Sequence, residues 1–314
     1  MKHITVVTPC YNEEANVEDV YAQTKAVFAT IEGVTYSHLF IDNCSTDRTG
    51  ERLRKLAAAD PQVKVIFNAR NFGHIRSPYY GLLQADGDAA IMLVADLQDP
   101  PELIRQFVAY WQAGHKIVVG VKPSSEESSL MFSLRRLYYR TVTRIADVKL
   151  IQNFTGFGLY DRQVIEVLKK IDDPYPYFRG LISEVGFEAV QVPYNQPRRQ
   201  RGITKNNFYS LYDIAMLGIT SHSRVPLRLA TMLGFGLSAL SFSMSLMYLI
   251  AKLFFWDLFS VGTAPLLIGM FFFASVQLFF IGLLGEYVGA ILTHVAKRPL
   301  VVERERINLP PASD

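Results

Sequence analysis

The sequence predicts an α/β domain with a Rossmann-like, mainly parallel sheet, followed by a hairpin of two transmembrane helices. Two observations lead to this prediction. Apolar strand patterns and helical patterns alternate along the first 121 of the 314 residues, an order that builds a parallel sheet with helices on both faces. Further along, two apolar stretches of more than 20 residues carry no charge, and about 20 apolar residues span a bilayer core.

Five strands and four helices are expected in the N-terminal part of the chain. The strands are expected at residues 4–8, 38–41, 63–67, 89–94 and 117–121. The helices are expected at residues 13–31, 48–59, 77–85 and 101–113, the last with proline in its first turn. Ligands of such sheets bind beyond the carboxyl ends of the strands. Polar residues cluster at these ends, in residues 9–13, 42–47, 68–76 and 96–99, which indicates a nucleotide site there.

Composition narrows the class of protein. Hydrophobic residues make up 50% and charged residues 19% of the chain, which is enough for a packed core. The net charge of +3 and the lack of a long basic run give no support for a nucleic-acid partner. The two cysteines, Cys10 and Cys44, have no metal-binding spacing, and we expect both to be small buried residues. The N-terminus has a strand pattern and no signal peptide, so we expect it in the cytosol.

The uncharged stretches are residues 229–251, which are 23 positions, and residues 258–285, which are 28. The short connection between them predicts an antiparallel hairpin. Arg224 and Arg228 precede the first stretch, and Lys297 and Arg298 follow the second. The positive-inside rule therefore places both ends of the hairpin, and the N-terminal domain, in the cytoplasm. The alternative is a hairpin buried in a soluble protein, which is disfavoured because so short a chain cannot easily bury two such helices.

Two further segments have an amphipathic or aromatic character. Residues 130–145 place Arg135 and three other arginines among apolar and aromatic residues, and residues 208–219 lead directly into the first stretch. Both are interpreted either as helices on the membrane surface or as helices packed on the sheet. The expected organisation is a cytoplasmic domain at 1–200, an interfacial segment at 201–225, two spans at 226–296 and a cytoplasmic tail at 297–314.

Three motifs follow the first, second and fourth predicted strands. They are Pro-Cys-Tyr-Asn-Glu at 9–13, Ile-Asp-Asn-Cys-Ser-Thr-Asp at 41–47 and Ala-Asp-Leu-Gln-Asp-Pro-Pro-Glu at 95–102. An acidic residue at a strand end is placed to accept hydrogen bonds from a base or a ribose. A second acidic group can hold Mg²⁺ or Mn²⁺ against a diphosphate, because hard oxygen ligands suit these ions.

This set of motifs resembles the inverting glycosyltransferases of family 2, which have the GT-A fold. Within them it is most similar to the polyprenyl-phosphate glycosyltransferases, namely dolichyl-phosphate mannose synthases and bactoprenol glucosyltransferases of the GtrB type. The resemblance covers nearly the whole chain and includes residues 71–73, 156–162, 201–205, 285–287 and 298–299. Each motif alone is moderately specific, whereas their order together with two C-terminal spans is strongly specific.

The resemblance implies a role for each motif. Ligands of the nucleotide sugar would be Pro9, Tyr11, Asn12, Glu13, Asp42 and Asn71. Asp96 and Gln98 would ligate a divalent metal at the diphosphate, and Asp96, Arg201 and Lys205 would act in catalysis. Contacts to the lipid phosphate or the membrane surface would come from Arg135, Arg198 and Arg199. For each aspartate the alternative role is a turn or helix cap.

The chain departs from the family pattern at three positions. Val94 stands where the pattern has the first aspartate of Asp-x-Asp, and Asn43 stands where it has the second of Asp-Asp. Asn153 replaces a further common aspartate. Each change removes a negative charge from the expected site, which leaves the identity of the donor open.

The function implied is inverting transfer of a hexose, with glucose from UDP-glucose as the first choice, to a polyprenyl (undecaprenyl) phosphate at the plasma membrane. The lipid phosphate needs no strong base, because a phosphate monoester is largely ionised at pH 7, with a second pKa of about 6. The expected partners are the UDP-sugar, polyprenyl phosphate, the bilayer, a separate flippase and a second copy of the chain.

Two alternatives remain at this point. A polysaccharide synthase of the same superfamily would carry Gln-x-x-Arg-Trp, but residues 196–200 read Gln-Pro-Arg-Arg-Gln. A non-catalytic membrane scaffold that binds a nucleotide sugar is favoured slightly by the missing carboxylates. A sugar-transfer assay with the wild type and Asp96→Ala tests the scaffold, which would be favoured if the wild type transferred sugar from no donor.

Overall fold

The computed structural model describes residues 1–122, 151, 153–171, 173–195, 231–237, 239–240, 243, 246–247, 250, 254, 263–296 and 298–311. The strands are β1 (Lys2–Cys10), β2 (Val34–Asp42), β3 (Val63–Asn68), β4 (Ala89–Met92), β5 (Ile117–Val121), β6 (Phe154–Asp161), β7 (Ala189–Pro193) and β8 (Glu303–Ile307). The helices are α1 (Val17–Phe28), α2 (Thr49–Ala59), α3 (Gly73–Leu83), α4 (Ile104–Gln112), α5 (Arg162–Ile171), α6 (Phe178–Glu184) and α7 (Thr263–Val295), and a 3₁₀ turn at Pro101–Leu103 precedes α4.

All strands of the described residues form one sheet, in the order β7-β5-β6-β4-β1-β2-β3-β8. Strand β1 pairs in parallel with β2 and β4, β2 with β3, and β5 with β7. Strand β6 lies antiparallel between β4 and β5, and β8 lies antiparallel on β3. The sheet is therefore mixed, but six of these eight strands, including the five that were predicted, run in the same direction, so the expectation of a mainly parallel sheet is confirmed. The antiparallel strands come from residues 154–161 and from the tail, for which the sequence analysis predicted no strand.

Helices cover both faces of the sheet, as predicted. Side chains of β1 alternate between the faces, so that Ile4 and Val6 pack with α1 and α4, whereas Val7 packs with α3 and α5. Phe40 of β2 belongs to a third cluster with α2. The central strands are buried on both faces, which is why they are apolar throughout. Their polar ends are the part of the sheet left available to a ligand.

The five predicted strands and four predicted helices are all present, with shifted ends. Helix α1 begins at Val17, four residues later than expected, because Asn16 N and Val17 N both donate to Glu13 O in a turn (2.9 and 3.1 Å). Helix α3 begins at Gly73, four residues earlier than expected, and the Asn71 side chain accepts from Gly73 N at 2.8 Å. Pro78 lies inside α3, where it removes one backbone hydrogen bond without ending the helix.

Helix α7 contains most of the second predicted span. It extends over 33 residues, beyond the uncharged stretch, and its window Phe272–Gly289 has a mean hydropathy of 1.5 with none of it buried. Within the described residues this is one helix with the length and composition to cross a membrane. The first predicted span is described only in part, so the predicted hairpin remains a proposal. The predicted helices at 130–145 and 208–219 lie outside the described residues.

The tail after α7 returns to the sheet. Strand β8 pairs with β3 from Val65↔Ile307 to Asn68↔Glu303, and Ala69 N donates to Val302 O at 2.9 Å. Asn308 Nδ2 donates to Ala57 O and Val63 O at 2.8 and 2.9 Å. Residues 298–311 are thus part of the α/β domain and cover the edge of β3.

Candidate active site

A cleft of about 410 Å³ opens at the carboxyl ends of the central strands. Five predicted ligands line it, namely Pro9, Tyr11, Glu13, Asn71 and Asp96. The remaining lining residues are Cys10, Asn43, Gly73, His74, Ser77, Pro78, Val94 and Ala95. These positions are distant in sequence and meet because β1, β2 and β4 run in parallel and end at the same edge. The structure therefore brings together the three strand-end motifs.

The backbone bends sharply at this edge. Asn12 and Cys44, two residues past β1 and β2, and Leu97, in the loop that follows β4, have φ angles of 58°, 63° and 56°. Left-handed backbone is uncommon for residues other than glycine, and for leucine it is a genuine outlier. Such conformations cost about 1–3 kcal/mol each and cluster at functional sites.

Asn12 joins the first two motifs. Its Oδ1 accepts from Thr46 N at 2.8 Å, and its own backbone N donates to Ser45 Oγ at 2.9 Å. Glu13 N donates to Thr49 Oγ1 at 2.8 Å. The loop after β1 is therefore attached to the loop after β2. The geometry gives Asn12 a part in shaping the cleft, and its predicted contact with the nucleotide sugar remains a prediction.

Asp42 lies behind the cleft. It is buried, and both carboxylate oxygens accept from Ser45 N, at 3.3 and 3.2 Å. Burial raises the pKa of Asp42, while the hydrogen bonds from Ser45 oppose that rise. This geometry is that of a turn cap, which was the alternative role for this residue. The predicted contact with base or ribose remains a prediction.

Asn43 connects the second motif to the start of α3, which the sequence analysis missed. Its Nδ2 donates to Asn71 Oδ1 at 2.8 Å and to Gly73 O at 3.2 Å. Its Oδ1 accepts from Phe72 N at 2.9 Å and from Asn68 Nδ2 at 3.0 Å. An aspartate has no donor for the first two contacts. The asparagine that replaces the second aspartate of Asp-Asp therefore fits the local hydrogen bonds. The nearby asparagines at 68 and 71 were the sequence signal that could have indicated this network.

Asp96 is the carboxylate at the front of the cleft. Its Oδ1 accepts from Gln98 N at 3.2 Å, and Leu97 between them has the left-handed backbone noted above. The described residues contain no group of three or more His, Cys, Asp or Glu side chains placed to hold a metal. Mg²⁺ is often bound through one or two carboxylates, with water and substrate phosphates as the other ligands. The cleft offers one or two carboxylates, Asp96 and Glu13, which fits that mode. The Gln98 side chain is not among the lining residues, so its role as a ligand remains a prediction.

Asp99 is a buried carboxylate that the motif analysis did not place in the site. It accepts a hydrogen bond from the Tyr194 hydroxyl at the end of β7. Burial raises the pKa of Asp99 to about 6, and Asp96 adds to that rise, whereas the hydrogen bond from Tyr194 and the charge of Lys122 oppose it. The contact ties the loop that carries Asp96 to the end of the edge strand β7.

A second, largely apolar cavity of about 210 Å³ adjoins the cleft. The two share Pro9, His74, Pro78 and Val94, and Phe178 and Arg179 line the far wall of the cavity. Partial burial lowers the pKa of His74. Val94, in the place of an aspartate, makes the boundary between cleft and cavity apolar.

The two cysteines differ in their surroundings. Both are free; Cys10 is buried, and burial raises the pKa of its thiol, as expected of an unreactive core residue. Cys44 is half-buried at a left-handed turn, so the expectation that it is buried was wrong. The predicted residues Arg135, Arg198, Arg199, Arg201 and Lys205 lie outside the described residues, and their roles remain predictions.

Comparison with known proteins identifies the family. A family model described as Glycosyl transferase family 2 matches residues 5–169, which include all three motifs of the cleft. A Bacillus subtilis protein named uncharacterized glycosyltransferase YkcC is 34% identical, over 96% of this chain and 94% of its own. A Shigella flexneri protein named SfII prophage-derived bactoprenol glucosyl transferase is also 34% identical, over 94% of this chain and 96% of its own.

Similarity to solved structures is more distant. A glucosyl-3-phosphoglycerate synthase from Mycobacterium tuberculosis, crystallised with Mn²⁺, UDP and glucosyl-3-phosphoglycerate, is 17% identical with a TM-score of 0.44, over 70% of this chain and 78% of its own. The identification rests instead on the family match and the full-length relatives. The chain belongs to glycosyltransferase family 2, and it is a glycosyltransferase with a GT-A-like α/β fold and a mixed sheet.

Proposed function

We propose that this enzyme transfers a hexose, with glucose from UDP-glucose as the first candidate, to a polyprenyl phosphate at the cytoplasmic face of the plasma membrane. The observation that carries the proposal is the return of the tail to the sheet. Strand β8 follows α7 and pairs with β3, whose end adjoins the cleft. A helix of membrane length is thus connected to the active-site edge by residues 296–302. The name bactoprenol glucosyl transferase of the Shigella relative supports the lipid acceptor.

The same return supports a two-span topology. Because residues 298–311 belong to the α/β domain, the chain between residues 195 and 298 crosses the bilayer an even number of times. If α7 crosses once, another segment must cross as well, and the uncharged residues 229–251 are the candidate. The uncharged part of α7, residues 263–285, extends over about 34 Å at 1.5 Å per residue, which suits a hydrocarbon core of about 30 Å. Both ends of the hairpin and both termini would then lie in the cytoplasm.

The reaction exchanges one bond at the anomeric carbon of the sugar. An oxygen of the lipid phosphate forms a bond to C1 as the bond from C1 to the diphosphate breaks, and UDP leaves with the electron pair. The products are UDP and a polyprenyl phosphosugar of inverted configuration. No proton has to be removed from the nucleophile, because the phosphate oxygen is already ionised. The residues of the cleft then have to orient the donor and stabilise the leaving diphosphate.

Each part of the cleft has a task in this scheme. Pro9, Tyr11 and Glu13 would hold the base and the ribose, and Asn71 would contact the nucleotide sugar. Asp96 would hold a divalent metal, Mg²⁺ or Mn²⁺, which when bound would offset the charge of the diphosphate. Arg201 and Lys205 would provide further positive charge. A separate flippase would carry the product across the bilayer, because two spans do not make a pore, and a second copy of the chain is the expected assembly partner.

A transfer assay tests the proposal. Membranes containing the enzyme are given labelled UDP-glucose, UDP-galactose, UDP-N-acetylglucosamine or GDP-mannose, together with polyprenyl phosphate, and the lipid extract is scored for label. We expect label from UDP-glucose, and we expect Asp96→Asn to lower its transfer roughly 100-fold or more. The charge-matched control Glu32→Gln, at an exposed position of the domain, should leave transfer unchanged. Failure of every donor with the wild type would sink the proposal.

The topology has its own test. Single cysteines are introduced at Arg304 in β8 and at Asp257 in the predicted connection, in a Cys44→Ser background. A membrane-impermeant maleimide should label the first in inside-out vesicles and the second in right-side-out vesicles. Labelling of both positions from the same side would rule out the two-span arrangement.

A further inference from the structure

A groove of about 350 Å³ lies where the tail meets the end of β3. Its lining includes three arginines, Arg70, Arg76 and Arg298, together with Phe72 and Pro299. Arg70 and Arg76 come from the segment that begins α3, and Arg298 comes from the tail, over 200 residues later in the chain. The contact from Ala69 N to Val302 O joins the two walls.

The arginines of this groove differ from others on the domain. Arg52, Arg54, Arg162 and Arg306 each form an ion pair with a glutamate. Among the described residues no carboxylate forms an ion pair with Arg70, Arg76 or Arg298. The guanidinium of Arg70 packs over the ring of Phe72 at 4.1 Å, which orients it without neutralising it. The positive charge of the groove is therefore not balanced by the part of the protein that the structure describes.

Arg76 provides an independent indication of a ligand. Its guanidinium lies over the ring of Tyr175 at 5.4 Å, and its Nε is buried without a hydrogen-bond partner among the described residues. A buried donor without a partner costs about 1–3 kcal/mol. Arg76 is also a lining residue of the groove, so an anionic oxygen that reaches its guanidinium would supply the missing partner. Arginine is also the residue best suited to planar, two-point binding of a phosphate.

The position of the groove indicates where such an anion comes from. Helix α7 ends at Val295, and Arg298 and Pro299 follow within four residues. A chain of three residues reaches about 10 Å at most. The groove therefore lies beside the end of the membrane helix, at the depth of lipid headgroups if α7 is inserted. This step rests on the membrane placement proposed above.

We propose that the groove of Arg70, Arg76 and Arg298 binds the phosphate headgroup of an anionic membrane phospholipid. It is separate from the reaction site, since it shares no lining residue with the cleft that contains Asp96. The loop of residues 71–73 lies between them, with Asn71 and Gly73 on the cleft and Phe72 in the groove. A bound phospholipid would hold this loop, and with it one wall of the cleft, against the membrane surface.

The test measures lipid binding without any sugar transfer. The full chain is purified in neutral detergent and given phosphatidylglycerol, phosphatidylcholine, polyprenyl phosphate or inorganic phosphate, and bound lipid is quantified by native mass spectrometry. We expect selective retention of phosphatidylglycerol by the wild type. The variant Arg76→Gln/Arg298→Gln should weaken that binding roughly thirty-fold, at the energy typical of two basic residues near an anionic surface. The control Arg105→Gln/Lys170→Gln removes two exposed charges elsewhere on the domain and should bind as the wild type does.

Three results would overturn the proposal. One is equal retention of phosphatidylglycerol by the groove variant and the control. Another is loss of polyprenyl phosphate alone, which would make the groove a site for the acceptor. The third is binding of inorganic phosphate as strong as that of phosphatidylglycerol, which would indicate a soluble ligand. If the Arg76 change unfolds the chain, Arg70→Gln/Arg298→Gln at two exposed positions repeats the test. Because no donor is present, lipid binding and the proposed transfer can fail independently.

Discussion

The hydroxyl of Tyr194 donates a buried hydrogen bond to the carboxylate of Asp99, and this contact joins the segments that follow β4 and β7. Asp99 lies three residues after Asp96, in the loop that follows the central strand β4, whereas Tyr194 follows the edge strand β7. The ring of Tyr194 also packs edge-on against Phe157 at 5.7 Å. The position of the Asp96 loop therefore depends on a strand that pairs only with β5.

Removal of the Tyr194 hydroxyl tests this connection. Tyr194→Phe keeps the ring packing and leaves the Asp99 carboxylate buried without this donor. We expect a loss of roughly 1–3 kcal/mol in the free energy of unfolding, the usual cost of an unsatisfied buried group. Denaturant unfolding of the purified chain measures it. Tyr110→Phe, at an exposed tyrosine of α4, is the control and should change stability by much less; equal effects would contradict the assigned role.

The pH dependence of stability should reveal Asp99 directly. Burial raises its pKa to about 6, above the roughly 3.9 of an unfolded chain. The folded chain thus binds the Asp99 proton more tightly than the unfolded chain does. The contribution of this proton to the free energy of unfolding is therefore fully present below pH 4 and is lost as the pH rises through 6. The loss amounts to at most about 3 kcal/mol. In melts between pH 4 and 8, Asp99→Asn should remove this part of the slope, and an unchanged slope would assign it to other groups.

Asn43→Asp tests the departure from the family pattern. The new carboxylate would face two acceptors, Asn71 Oδ1 and Gly73 O, where the amide now donates. We expect the loop of residues 71–73 to loosen and the Michaelis constant for the nucleotide sugar to rise roughly tenfold, the equivalent of one lost net hydrogen bond. Asn43→Ala removes the same contacts without adding a charge. If Asn43→Asp had the Michaelis constant of the wild type, the hydrogen bonds of Asn43 would not support the cleft.

Substitutions at Asn308 separate two contributions of the tail to stability, namely side-chain hydrogen bonds and a left-handed backbone. It has a φ angle of 58°, and its side chain donates to Ala57 O and Val63 O. Asn308→Gly removes both hydrogen bonds and keeps the backbone geometry accessible, whereas Asn308→Ala also imposes left-handed strain of about 1–2 kcal/mol. We therefore expect both variants to melt below the wild type, with alanine lower than glycine. The opposite order would mean that left-handed strain at this position does not control the stability of the tail.

The motifs of the cleft were predictable because each follows a strand with a strong apolar pattern. Pro9, Tyr11, Glu13, Asn71 and Asp96 are placed together by the parallel register of β1, β2 and β4. The roles of Asn43 and Asp99 were not predictable in the same way. Their partners lie between 25 and 95 residues away, and no local pattern indicates which distant side chain will meet them.

Local signals in the sequence by themselves determined the alternation of strands and helices to residue 121, the strand-end motifs and the long apolar helix. Those signals arise from periodicity, which depends on residues a few positions apart. Only the tertiary structure decided the antiparallel entry of β6, the return of β8 to the edge of β3 and the meeting of Arg70 and Arg76 with Arg298. These features depend on pairing between segments that are far apart in the chain, which many sequences with the same local pattern could arrange differently.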